Sequence, residues 1–122
     1  MRMWMVDPKI MCSQHLVGEH LEIHMFIGTL RKGVSIAGYV RSNAVEPKAL
    51  YSRHEELIEE MGNRGYKKDG SPVDEQEVQE LIEKLPEDIL NAKVDVEESQ
   101  DLLLDRCEDC RLKRNIVNRA EK

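Results

Sequence analysis

The sequence predicts an all-α protein, a single small domain (1–122) of about four helices packed around a long N-terminal helix. Three observations carry that reading. Apolar residues recur at helical spacing in four separate segments. Each segment opens on a helix-start signal and closes on glycine or proline or runs to the chain end. Only one stretch alternates in the manner of a strand, and a lone strand has no partner.

The first segment opens at Asp7-Pro8, with Asp as N-cap and Pro at the first helical position. The predicted helix runs from there to Leu30–Lys32, and Gly33 is placed to end it. Cys12, Leu16, Ile23, Ile27 and Leu30 form its apolar stripe. Residues 1–6 are apolar apart from Arg2 and are expected to run extended beneath this helix. The alternating stretch from Gly33 to Asn43 reads as an ordered loop. Glu46-Pro47 opens the second helix, with Leu50, Tyr51, Leu57, Ile58 and Met61 inward, and Gly62 and Gly65 close it. Residues 66–72 read as a loop, and Ser71-Pro72 with Asp74 reads as the start of a third helix. Val78, Leu81, Ile82 and Leu85 form its stripe, and Pro86 stops it. Asp95-x-x-Glu98 starts the last helix, with Leu102, Leu103, Cys107, Cys110 and Leu112 inward and a basic tail.

Hydrophobic content of 40% and charged content of 34% exclude a disordered chain. No apolar run approaches the roughly 20 residues that span a bilayer, so no membrane role is expected. The first eight residues are too soon interrupted for a signal peptide, which points to the cytoplasm and to reduced cysteines. The net charge of −6 is unevenly spread. Residues 1–70 hold ten Lys/Arg against nine Asp/Glu, and residues 71–110 hold three against fourteen. A nucleic-acid contact therefore has to be local. The acidic 74–109 segment allows a protein partner, or is a solvated face.

Chemistry concentrates on the first helix. At about 100° per residue, His15, Glu19 and Glu22 share one narrow stripe at the edge of the core face. Such a stripe either supplies acid–base chemistry or is ion-paired structure, with Arg53, Arg31 or His54 as partners. His20 and His24 stand at i, i+4 and, with Cys107-x-x-Cys110, make an alternative zinc set; cysteines at i and i+3 in a leucine-rich helix are more often simple core. Otherwise no cofactor is expected. A free α-amine is partly uncharged at neutral pH and forms Schiff bases with masked aldehydes such as a deoxyribose. Six extended residues before Asp7 span about 20 Å, so a segment that doubles back brings Met1 to the Glu22 turn.

Arg2, then Gln14-His15-Leu16, then Glu19-His20-Leu21-Glu22 resembles the phage-type pyrimidine dimer DNA glycosylase family (endonuclease V of ultraviolet repair). Glu56-Leu57-Ile58-x-Glu60 followed by Arg64-Gly65-Tyr66 resembles a second motif of that family. The resemblance covers about 1–68 and leaves 71–122 as a divergent helical half. It implies an all-α glycosylase/AP lyase acting on damaged double-stranded DNA, at a damaged pyrimidine or an abasic site. In such enzymes the terminal amine attacks C1′ and a glutamate assists ring opening and strand cleavage. Carried over, Met1, Glu22 and His15 are the catalytic candidates, and Arg2 and Glu19 grip the substrate. Arg31, Lys32, Arg41 and Arg64 are further candidates for DNA contact. The chain departs from the family at three points. Its first residue is Met1 rather than threonine, Leu21 and Met25 stand where the family has arginines, and the aromatic basic tail is absent. The rival readings are a non-catalytic binding module of the same fold and a zinc-stabilised interaction domain.

Overall fold

The computed structural model describes residues 1–66 and 72–120. Among them there are seven α helices and no strand, so the chain is all-α as its periodicity predicts. They are α1 (Ser13–Arg31), α2 (Ala37–Arg41), α3 (Leu50–Asn63), α4 (Glu75–Glu83), α5 (Glu87–Leu90), α6 (Val96–Arg106) and α7 (Glu108–Ala120). Single 3-10 turns, Pro8–Ile10 and Pro47–Ala49, precede α1 and α3.

α1 is the centre, but it is shorter than the sequence suggests. Asp7 does accept a hydrogen bond from the Lys9 N–H, yet it caps only the 3-10 turn. Met11 and Cys12 are extended, and the Cys12 thiol caps α1 by accepting from the His15 N–H. The nineteen residues of α1 give a rod of about 28 Å. Gly33 follows with φ of 71°, the left-handed conformation expected of it. The predicted loop at 33–43 contains α2 instead, started by the Ser35 hydroxyl accepting from the Ala37 N–H. A five-residue helix carries too few turns to show a period.

α1 packs on α3, and Leu16, Ile23, Phe26 and Ile27 meet Leu50 and Leu57 in a core closed from below by Met3 and Met11. α4 adds Val78 and Ile82 from its Asp74-capped start. The expected Ser71-Pro72 start signal lies in part outside the described residues, which omit Ser71. The expected last helix is two helices, because Cys107 is extended (φ −124°, ψ 108°) and breaks it. The break resets the inward face: Cys110 is fully buried, but Leu112, expected inward, is 54% exposed. α7 then packs against the Pro8–Ile10 turn.

The N-terminal segment is bolted in place. The Met3 N–H donates to the Ala44 carbonyl at 2.7 Å. The Ser99 hydroxyl donates to the Trp4 carbonyl at 2.6 Å, and Arg53 Nη1 donates to the Val6 carbonyl at 2.7 Å. Met3, Trp4 and Val6 are buried, so the segment runs beneath α1 as expected. No helix among the described residues is long and apolar enough to cross a membrane.

Candidate active site

Met1, Arg2, His15, Glu19 and Glu22 line one cleft of about 560 Å³, where the N-terminal segment folds against α1. Trp4, Gln14, Gly18 and Arg106 complete its wall. Two physical facts converge here. The period of α1 puts His15, Gly18, Glu19 and Glu22 on one side. The pinned backbone of residues 3–6 then delivers Met1 and Arg2 to that side.

One wall is a stack of side chains. The Arg2 guanidinium lies 5.2 Å from the Trp4 ring centre, and Trp4 meets His15 edge-on at 5.9 Å. Arg2 also donates to the Asn43 carbonyl at 3.4 Å. Arg106 enters from the end of α6, which adds a second cation from the divergent half of the chain.

The acidic stripe divides by burial. Glu19 is 1% exposed, and Arg53 holds it bidentately, Nε to Oε2 at 2.6 Å and Nη2 to Oε1 at 2.9 Å. Burial raises the Glu19 pKa, against the pull of Arg53 and of the Trp4 and Met5 N–H groups. Burial likewise opposes the charge on Arg53, but Glu19 and Glu56 outweigh it and hold the guanidinium protonated. Glu19 thus ties α1, α3 and the N-terminal segment together. Glu22, one turn on, is half-buried and makes no side-chain hydrogen bond or ion pair among the described residues.

Other cations named by the sequence lie outside this cleft. Arg31 is paired with Glu77, and Lys32 caps the end of α1. Nine residues separate Arg31 from Glu22, about 14 Å of helix. Arg41 ends α2, and Arg64 is held by Glu60 and by the Pro8 carbonyl. Trp4 and Arg106 were not named from sequence. A lone tryptophan in an apolar segment reads as core, and no local pattern links Arg106 to α1.

The proposed set of His20, His24, Cys107 and Cys110 is not brought together. His20 and His24 converge on His54, whose Nε2 lies 3.2 Å and 3.1 Å from theirs. Cys107 and Cys110 converge instead on Cys12 and His15. The reason is helix rotation: His20 and His24 stand about 140° and 180° around α1 from His15, on the face turned to α3. Burial pushes the Cys110 thiol up to about 12. At Cys107 burial acts the same way, but hydrogen bonds from Cys110 and Cys12 outweigh it and lower the pKa.

A family model described as pyrimidine dimer DNA glycosylase matches residues 1–72. The chain belongs to that family. The matched region holds the N-terminal segment, α1 and α3, and with them every cleft residue except Arg106. No curated protein and no solved structure gives a significant match.

Proposed function

We propose that this member of the pyrimidine dimer glycosylase family is a glycosylase/AP lyase that acts on double-stranded DNA at a damaged pyrimidine or an abasic site. The observation that supports it most is the meeting of Met1 and Glu22 in one cleft, although they stand twenty-one positions apart in the chain. The α-amine of Met1 is the nucleophile. Its lone pair attacks C1′ of the deoxyribose, and the glycosidic electron pair leaves with the base, which takes up a proton. Loss of the amine proton and opening of the ring at O4′ give an imine. Glu22 protonates O4′ during opening and then removes a C2′ proton, so that the C3′–O bond breaks and the 3′-phosphate leaves. Water finally cleaves the imine and restores the amine. Arg2 and Arg106 supply local positive charge for the phosphates, in keeping with a chain whose total charge is negative. His15 borders the sugar, and the base is extruded from the stack to admit it.

Borohydride reduction of a mixture with abasic duplex DNA tests this reading, after mass spectrometry has established a free amine on residue 1. A covalent protein–DNA adduct is expected, and it should be lost when the N-terminus is extended or acetylated and in Glu22→Gln. If the unmodified protein gives no adduct while still binding the DNA, the chain is a non-catalytic module of the same fold.

A further inference from the structure

One cluster of reactive side chains meets the cleft only at His15. Cys12, His15, Cys107 and Cys110 offer three sulfurs and a ring nitrogen, all within 4.8 Å of one another. Cys12 Sγ lies 3.2 Å from His15 Nδ1 and 3.8 Å from Cys107 Sγ, and Cys110 Sγ lies 3.7 Å from His15 Nδ1. A tetrahedral zinc ion with Zn–S near 2.3 Å and Zn–N near 2.0–2.1 Å sets ligand separations of roughly 3.8 Å for S···S and 3.6 Å for S···N. The Cys12–Cys107 separation matches the first value, and the two S···N separations lie on either side of the second. We propose that these four residues bind one structural zinc ion.

Backbone donors face all three sulfurs. Each sulfur accepts a backbone N–H: Cys12 from His15 at 3.5 Å, Cys107 from Cys110 at 3.4 Å, and Cys110 from Cys12 at 3.3 Å. Cys12 is the N-cap of α1, and Cys107 immediately precedes α7, so two helix N-termini point their positive ends at one spot. All three cysteines are free thiols. Four protein ligands fill the coordination shell, which marks a structural site and leaves no open position for substrate.

Its place in the chain says what it does. Cys12 and His15 open α1, while Cys107 and Cys110 flank the start of α7, ninety-five residues away. The ion joins the family region to the divergent half and accounts for the helix break at Cys107. It also fixes His15: with Nδ1 on the metal, the proton stays on Nε2, the ring's remaining polar atom. On the glycosylase reading His15 is then a positioning residue in the cleft wall, but the metal assignment itself stands on the ligand geometry alone.

Metal analysis of the full chain, purified under reducing conditions, should find one zinc per chain. Cobalt added to the metal-free protein should give thiolate-to-metal charge-transfer bands and the visible bands of a tetrahedral ion. Cys107→Ser and Cys110→Ser should lose the zinc, whereas His24→Asn, in the separate histidine triad, should keep it. The cobalt spectrum needs no variant, so it decides the matter even if the serine variants misfold. A cobalt spectrum without thiolate bands overturns the assignment. So does zinc that survives in Cys107→Ser and is lost in His24→Asn, or a disulfide among the three cysteines in freshly purified protein.

Discussion

Arg53 grips both carboxylate oxygens of Glu19, at 2.6 and 2.9 Å, with the two side chains shut off from solvent. The pair spans α1 and α3 beneath the cleft, and Arg53 reaches on to the Val6 carbonyl and to Glu56. Removing one partner leaves a buried charge. Arg53→Met should cost roughly 3–5 kcal/mol in denaturant unfolding, and adding Glu19→Gln should recover part of that loss. If the double variant is as unstable as the sum of the two single ones, the two side chains do not act as a pair.

The same pair sets a pH dependence. The Glu19 pKa is raised in the fold above its ordinary 4.5. The folded state therefore holds the proton more tightly than the unfolded state. Its contribution to stability is complete below the unfolded value and is lost as pH rises through the folded one. Glu19→Gln lacks this proton. The stability of the unmodified protein minus that of Glu19→Gln should fall as the pH is raised above the ordinary 4.5 in a series of urea titrations. A difference that grows with pH would mean that Arg53 outweighs burial.

Arg2 is the cation nearest the N-terminal residue, and it lies over Trp4. Arg2→Ala should weaken binding to duplex DNA and lower the slope of log affinity against log salt by about one. A change in affinity with no change in slope would assign Arg2 a packing role against Trp4.

Two glycines near the end of α1 should respond in opposite directions. Gly28 is helical, and a β-carbon there meets nothing within 4 Å. Gly28→Ala should stabilise the protein by about 0.5–1 kcal/mol. Gly33 has equal space but sits at φ of 71°, so Gly33→Ala should destabilise by about 1 kcal/mol. Thermal melts of the two variants provide the comparison.

By itself the sequence determined the helical class, the apolar face of α1 and the acidic stripe beside it, because each is written at a spacing of three or four residues. It also determined that Met1 can reach Glu22, since chain length and helix rise bound that distance. What the stripe does was left to tertiary structure: α3 places Arg53 under Glu19, and Glu22 stays half-buried in the cleft wall. The same limit explains the metal ligands. The His20/His24 pair and Cys107-x-x-Cys110 are both legible as local patterns, yet which half-site meets which depends on how α1 is rotated against α3 and α7. Arg106 and Cys12 belong with His15 only because α6 and α7 fold back across the start of α1. A contact between residues ninety-five apart leaves no period in the chain, and only packing decides it.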